Sequence, residues 1–208
     1  MSISEASYNE LKTQFGDVAS WALWSDPTAA PTSNIADLSV FDVPKVWNSL
    51  NTGYVFVGLN AANHNQMHVD DWSSFHSSYS HQKDYKLRYA LTHDDRFWGS
   101  YITDIIKGYP ETNSHRVMEA VKSGRIDMNK HGAVFEKELD LLSIPGTEPI
   151  LIALGGDTYK LLKKCLSSNY HGRILKIYHY SYSYRGMSNL DNYRNYVRRE
   201  LKDCKKLI

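Results

Sequence analysis

Three residues able to do polar chemistry stand within or just beyond short apolar runs. Asn60 follows Tyr54-Val55-Phe56-Val57-Gly58-Leu59, Asp104 lies inside Tyr101-Ile102-Thr103-Asp104-Ile105-Ile106, and His179 follows Ile174-Leu175-Lys176-Ile177-Tyr178. An amide oxygen can hold a water molecule, although an amide is a poor general base. An imidazole can donate to an oxygen that gains negative charge, and a carboxyl offers acceptors when ionised or one donor and one acceptor when protonated. Two other constellations compete. His64 and His68 have the spacing of two ligands on one helical turn, with His76 and His81 beyond. No Glu stands between the pair in the HExxH fashion and no Cys cluster accompanies it, so no metal is expected. Gly155-Gly156-Asp157 has the spacing of neither a P-loop nor a dinucleotide fingerprint; a tight strand-to-helix turn with Asp157 as N-cap is expected.

The elements that position these residues follow from the apolar pattern. Four runs are continuous rather than alternating, which is the signature of parallel strands buried on both faces: the three above and Ile150-Leu151-Ile152-Ala153-Leu154. Helical patterns lie between them. Val134 to Leu142 precedes the third run and stops at Pro145-Gly146, and Thr158 to Leu166 follows it. Toward the end, Leu190, Tyr193, Val197 and Leu201 share one face of a basic amphipathic helix. Strands alternating with helices predict an α/β fold, three layers α/β/α around a central four-stranded parallel sheet, in one domain over residues 1–208. In such sheets ligands bind beyond the carboxyl ends of the strands. The polar stretch from Ala61 to Ser100 holds five of the nine histidines and reads as a long crossover that can wall a pocket.

Composition excludes several classes. Hydrophobic residues make up 42% and charged residues 23%, ordinary for a folded domain and unlike a disordered or fibrous chain. No apolar stretch reaches membrane-spanning length, the start lacks a basic and apolar leader, and Cys165 and Cys204 are too few for an iron–sulfur cluster, so a cytoplasmic protein with reduced thiols is expected. The net charge of +1 hides an asymmetry: residues 1–75 hold two Lys/Arg and eight Asp/Glu, and the remainder holds 22 against 15. A basic half can supply phosphate contacts in a nearly neutral protein.

Four short segments, in order, resemble the uracil-DNA glycosylase superfamily. Gly58-Leu59-Asn60 looks like its water-positioning motif, and Tyr101-Ile102-Thr103-Asp104-Ile105-Ile106-Lys107-Gly108-Tyr109-Pro110 like its "YITNxxKxxP" strand end. Ile152-Ala153-Leu154-Gly155 looks like its "ALG" strand. His179-Tyr180-Ser181, followed by Tyr184-Arg185-Gly186, looks like its His-Pro-Ser motif and DNA-inserting loop. The resemblance covers roughly residues 50–200; no single match is specific, and the ordered set carries it. It implies a DNA glycosylase that flips a nucleotide and hydrolyses its N-glycosidic bond without a cofactor, as a monomer acting on DNA. Asn60 would hold the attacking water and His179 would donate to O2 of the leaving base. Trp72 or Phe75 would form the stacking platform; Tyr182, Tyr184, Arg185 and Met187 would supply the wedge, and Lys107, Arg116, Arg185 and Lys160 phosphate contacts.

Two departures from the uracil pattern set the expected base. Ala61 and Ala62 replace the Pro and the C5-blocking Tyr that follow the first motif in uracil enzymes, which admits a bulky C5 substituent. Asp104 stands where the family reads the base with Asn, and a carboxyl can accept from the N4 amino group of cytosine. Removing ordinary cytosine would destroy the host genome, so the expected target is a C5-modified cytosine, hydroxymethylated or glucosylated, as in bacteriophage DNA. The chain thus resembles a phage-defence glycosylase. The alternatives are a uracil or mismatch glycosylase of base-excision repair, a non-catalytic nucleic-acid binder of the same fold, and, for Asp104, a carboxylate that caps the Thr112-Asn113-Ser114 loop.

Overall fold

The computed structural model describes residues 2–61, 70–79, 81–92, 94–142 and 148–204. Among these, the four apolar runs form four neighbouring strands: β2 (Asn51–Asn60), β3 (Ser100–Ile106), β4 (Ile150–Leu154) and β5 (Ile174–Ile177). They pair in parallel in the order β3-β2-β4-β5. The expected four-stranded parallel sheet is corrected to a five-stranded mixed one, because β1 (Ala19–Trp21) adds antiparallel to the outer edge of β3. Ala19-Ser20-Trp21 is too short and too polar at its centre to read as a strand. It pairs because it covers the open edge of β3 while burying Trp21 completely.

Seven helices flank the described sheet: α1 (Glu5–Phe15), α2 (Asp84–Leu91), α3 (Ser114–Lys122), α4 (Met128–Leu142), α5 (Gly156–Cys165), α6 (Ser168–His171) and α7 (Leu190–Glu200). Strand alternation assigns them to two sides. Val55, Val57, Tyr101, Leu151 and Ala153 enter a core with Leu11 of α1, Val117 of α3, Leu139 of α4 and Leu162 of α5. Tyr54, Phe56, Ile102, Ile150, Ile152 and Ile177 enter a second core with Leu87 of α2 and Tyr193 and Val197 of α7. The expected helices are present, α7 with its apolar face buried as the 3.6-residue period requires. α5 starts at Gly156 after Gly155 at φ 106°, so Asp157 sits in the first turn, not at the N-cap, and pairs with Lys160 at 3.3 Å. Pro145 and Gly146 lie outside the described residues.

A buried ion pair ties β3 to α4. Glu138, fully buried, accepts from the hydroxyls of Tyr101 and Thr103, each at 2.8 Å, and faces the Lys107 ammonium at 2.8 Å. The expected phosphate contact by Lys107 is therefore corrected: its side chain is only 12% exposed and neutralises a carboxylate that has no access to water. Lys107→Met strands that charge and is expected to cost about 3–5 kcal/mol in urea unfolding.

Candidate active site

The register places the three polar residues at one end of the sheet. Val57 pairs with Ala153, and Ala153 with Lys176. Asn60 ends β2, and His179 lies in the loop two residues past the end of β5, so both belong to the carboxyl-terminal end of the sheet. Asp104 pairs with Gly58 on the neighbouring strand. By alternation with Phe56 and Ile102, both Gly58 and Asp104 face the α2 and α7 side.

Asn60 is held at the tip of β2 by its own amide. Its Nδ2 lies 2.9 Å from each of the carbonyls of Ala61, Tyr109 and Glu111, which share its two N–H groups, and this joins the loops after β2 and β3. Carbonyls only accept, so the nitrogen is the amide atom that faces them.

Asp104 is 8% exposed, and its carboxyl lies across β2 in the space that Gly58 leaves. A Cβ at Gly58 would overlap Asp104 Oδ1 and would sit 3.7 Å from Phe75 Cε1. Phe75 itself takes the left-handed backbone region, φ 64°, which costs a bulky aromatic about 1–3 kcal/mol. Phe75 and Asp104 are therefore brought together over a bare stretch of backbone. Gly58→Ala is expected to displace the carboxyl and to cost about 1–3 kcal/mol in thermal unfolding, with loss of whatever discrimination Asp104 supplies.

Burial pushes the Asp104 carboxyl up to about 7; Lys107 opposes the shift, while Glu138 and Asp84 add to it. Asp84 on α2 is also buried and pushed up to about 6, against the Ser77 N–H at 2.9 Å and the Tyr180 hydroxyl, both of which favour its ionised form. Tyr180 hydrogen-bonds Asp84, and burial, with the charge of both carboxyls, pushes its hydroxyl up. The suggested capping role for Asp104 is not met. Asn113 caps α3 with its own side chain, accepting from His115 N, and Glu111 Oε1 accepts from Asn113 N at 2.9 Å.

His179 is fixed from three sides. Tyr178, just before it, accepts from the Tyr193 hydroxyl at 2.9 Å and donates its N–H to the Tyr196 hydroxyl at 3.1 Å, both on α7. Beneath it, Gly155 approaches so closely that a Cβ there would lie 3.9 Å from His179 Cβ. On the third side, Nδ1 accepts from the Ser181 N–H at 3.1 Å and lies 2.8 Å from its hydroxyl. A ring nitrogen that accepts from a backbone N–H carries no proton, so the neutral imidazole must hold its proton on Nε2. Burial, with repulsion from Lys86 as the smaller cause, pushes His179 down to about 4, so the ring is neutral at pH 7 and Nε2–H is a donor.

No family model, curated protein or solved structure matches the chain. The site must be read from its own geometry.

The remaining expected residues divide. Trp72 is corrected from stacking platform to core. It is fully buried, donates Nε1–H to the Tyr8 hydroxyl at 3.0 Å and packs on Trp21 and Tyr101, away from the Asp104 face. In the loop after His179, Tyr182 and Met187 are packed: Tyr182 stacks on Tyr178 at 4.5 Å, and Met187 lies against the second core. Tyr184, 74% exposed, and Arg185 at φ 54° stand at the tip. Arg116 is exposed and 3.9 Å from the carboxylate of Glu111, whose carbonyl holds Asn60, so it borders the site. Ala62, His64 and His68 lie outside the described residues. His76 is a core histidine, buried between Trp24 and Phe41 with Nε2 3.2 Å from the Trp21 carbonyl. Among the described residues no group of three His, Cys, Asp or Glu could hold a metal, and no helix is long and apolar enough to cross a membrane. Cavities of about 350 Å³ beside Lys12, Asp42 and Asp71, and about 390 Å³ beside Pro31, Arg88 and Arg194, are lined by none of Asn60, Asp104 or His179.

Sequence reading missed Asp84, Lys86 and the role of Tyr180. Asp84, Lys86 and Arg88 alternate along a short helix and would be expected in water, yet all three are buried. Nothing in the local sequence signals that.

Proposed function

We propose that the chain is a monofunctional DNA glycosylase that flips a C5-modified cytosine, such as glucosylated hydroxymethylcytosine of phage DNA, and hydrolyses its N-glycosidic bond. What supports this reading is that the register brings Asn60, Asp104 and the loop of His179 to the same carboxyl-terminal end of the sheet, with Asp104 and Phe75 meeting over Gly58. A sheet with helices packed on both sides also suits the α/β/α arrangement of the uracil-DNA glycosylase superfamily.

The chemistry needs an acceptor for water on the sugar side and a donor on the base side. Asn60 Oδ1 would orient a water toward C1′. As the C1′–N1 bond breaks, the departing base gains negative charge at O2, where His179 Nε2–H donates. Water oxygen bonds to C1′ and loses a proton to solvent, and the base leaves with the electron pair of the broken bond and takes up a proton from solvent. Phe75 would contact the flipped base from beside Gly58, and Ala61 leaves the C5 side open. Tyr184 and Arg185 are the exposed groups positioned to enter the duplex, and Arg116 is placed for a phosphate.

Asp104 supports the choice of base. With its carboxyl near neutrality, one proton can be shared between Asp104 and cytosine N3 while the other oxygen accepts from N4. Once ionised it sets acceptors against uracil O4, which is repulsive. Abasic-site formation on matched duplexes containing uracil, cytosine, hydroxymethylcytosine or glucosyl-hydroxymethylcytosine tests this. Cleavage of the modified cytosines is expected; cleavage of uracil alone contradicts the cytosine assignment, and cleavage of none contradicts the activity.

A further inference from the structure

The loop that carries His179 is fastened from α2 by one buried ammonium. Lys86 is 2% exposed and donates Nζ–H to the carbonyls of Tyr182 at 3.1 Å and Met187 at 2.7 Å, with the Tyr193 ring 4.8 Å away. Those two carbonyls bracket the turn at Tyr184, Arg185 and Gly186, where Arg185 and Gly186 both have positive φ and Asn192 Nδ2 donates to the Gly186 carbonyl at 3.1 Å. The loop has no strand or helix of its own to satisfy these carbonyls. A buried ammonium with so few partners is costly unless it is needed where it sits.

We propose that Lys86 is a positioning residue for His179: its ammonium closes the 182–187 loop, so that Ser181 is held against Nδ1. The role assigned to His179 rests on the glycosylase reading; the clamp itself does not. Lys83, at the N-cap of α2, repels the ammonium, His179 is repelled by it, and the Tyr193 ring of α7 lies 4.8 Å away. Burial, with repulsion from Lys83, pushes Lys86 down to about 8, so it is cationic at pH 7 and loses its proton on mild alkalinisation.

NMR of the free protein, without DNA, tests this in Lys86→Met and Lys86→Arg. In Lys86→Met, which keeps the stem and loses the charge, the His179 imidazole inflection should move up in pH. Exchange of the amides from Ser181 to Met187 should quicken about tenfold or more while β4 amides keep their protection. Lys86→Arg, which restores charge and donors, should return both toward wild type. An unchanged His179 inflection and unchanged loop exchange in Lys86→Met overturn the proposal. Should Lys86→Met fail to fold, the wild-type protein decides: the Tyr182 to Met187 amide shifts should share one alkaline inflection as Lys86 loses its proton, and the absence of any shared inflection up to the onset of unfolding overturns the clamp. Failure of the glycosylase reading would appear separately, as wild-type protein that releases no base while these NMR results stand.

Discussion

Asp104→Asn is expected to lower the removal of modified cytosine relative to uracil by about 10- to 100-fold at pH 8, from the loss or mispairing of one buried hydrogen bond worth about 1–3 kcal/mol. The wild-type carboxyl can pass its proton to cytosine N3 and accept from N4, whereas an amide can take up no proton. The wild-type rate on modified cytosine, as kcat/KM, should fall as pH rises through about 7, because the free enzyme then loses the proton that carboxyl and base must share. The variant acting on uracil should lack this limb. Stability gives an independent check. Asp104 has a folded pKa above its unfolded value of 3.8, so the stability that its protonated form contributes is complete below that value and lost as pH rises through about 7. The amide never ionises, so the variant should match wild type near pH 4 and exceed it by up to about 4 kcal/mol at pH 8, measured by urea unfolding.

His179→Ala is expected to slow base release about 100- to 1000-fold in single-turnover assays while leaving DNA affinity nearly unchanged. The reasoning is that Nε2–H meets charge that exists only as the glycosidic bond breaks, so its removal takes nothing from the bound ground state. His179→Asn, which keeps an N–H donor, should recover part of the rate. A loss of DNA affinity equal to the loss of rate would instead place His179 in binding.

Four of the strands and their parallel pairing were legible because buried parallel strands leave continuous apolar runs that end abruptly, whereas their order in the sheet was not. β1 was not legible: three residues carry no period, and only the open edge of β3 makes Ala19-Ser20-Trp21 a strand. Trp72 and Phe75 show the limit most plainly. Three residues apart in a polar crossover, they are alike in sequence terms, yet one is buried behind β3 against Tyr8 and the other lies over Gly58. Lys107 was misjudged for a related reason. A lysine after a strand reads as surface charge, and its partner Glu138 lies 31 positions away on α4, facing inward only because Tyr101 and Thr103 offer it hydroxyls. The contacts from Lys86 of α2 to the loop after His179 span about a hundred residues of chain, which no local pattern encodes.

The most direct test of the central claim is single-turnover release of free base from a duplex containing one glucosyl-hydroxymethylcytosine, followed by mass spectrometry with aldehyde labelling of the DNA. Wild-type protein should yield base and abasic aldehyde in equal amounts, and Asn60→Ala should yield both at least about 100-fold more slowly. Tight binding without base release, or release at the same rate after Asn60→Ala, would contradict a water-holding amide facing the sugar across from His179.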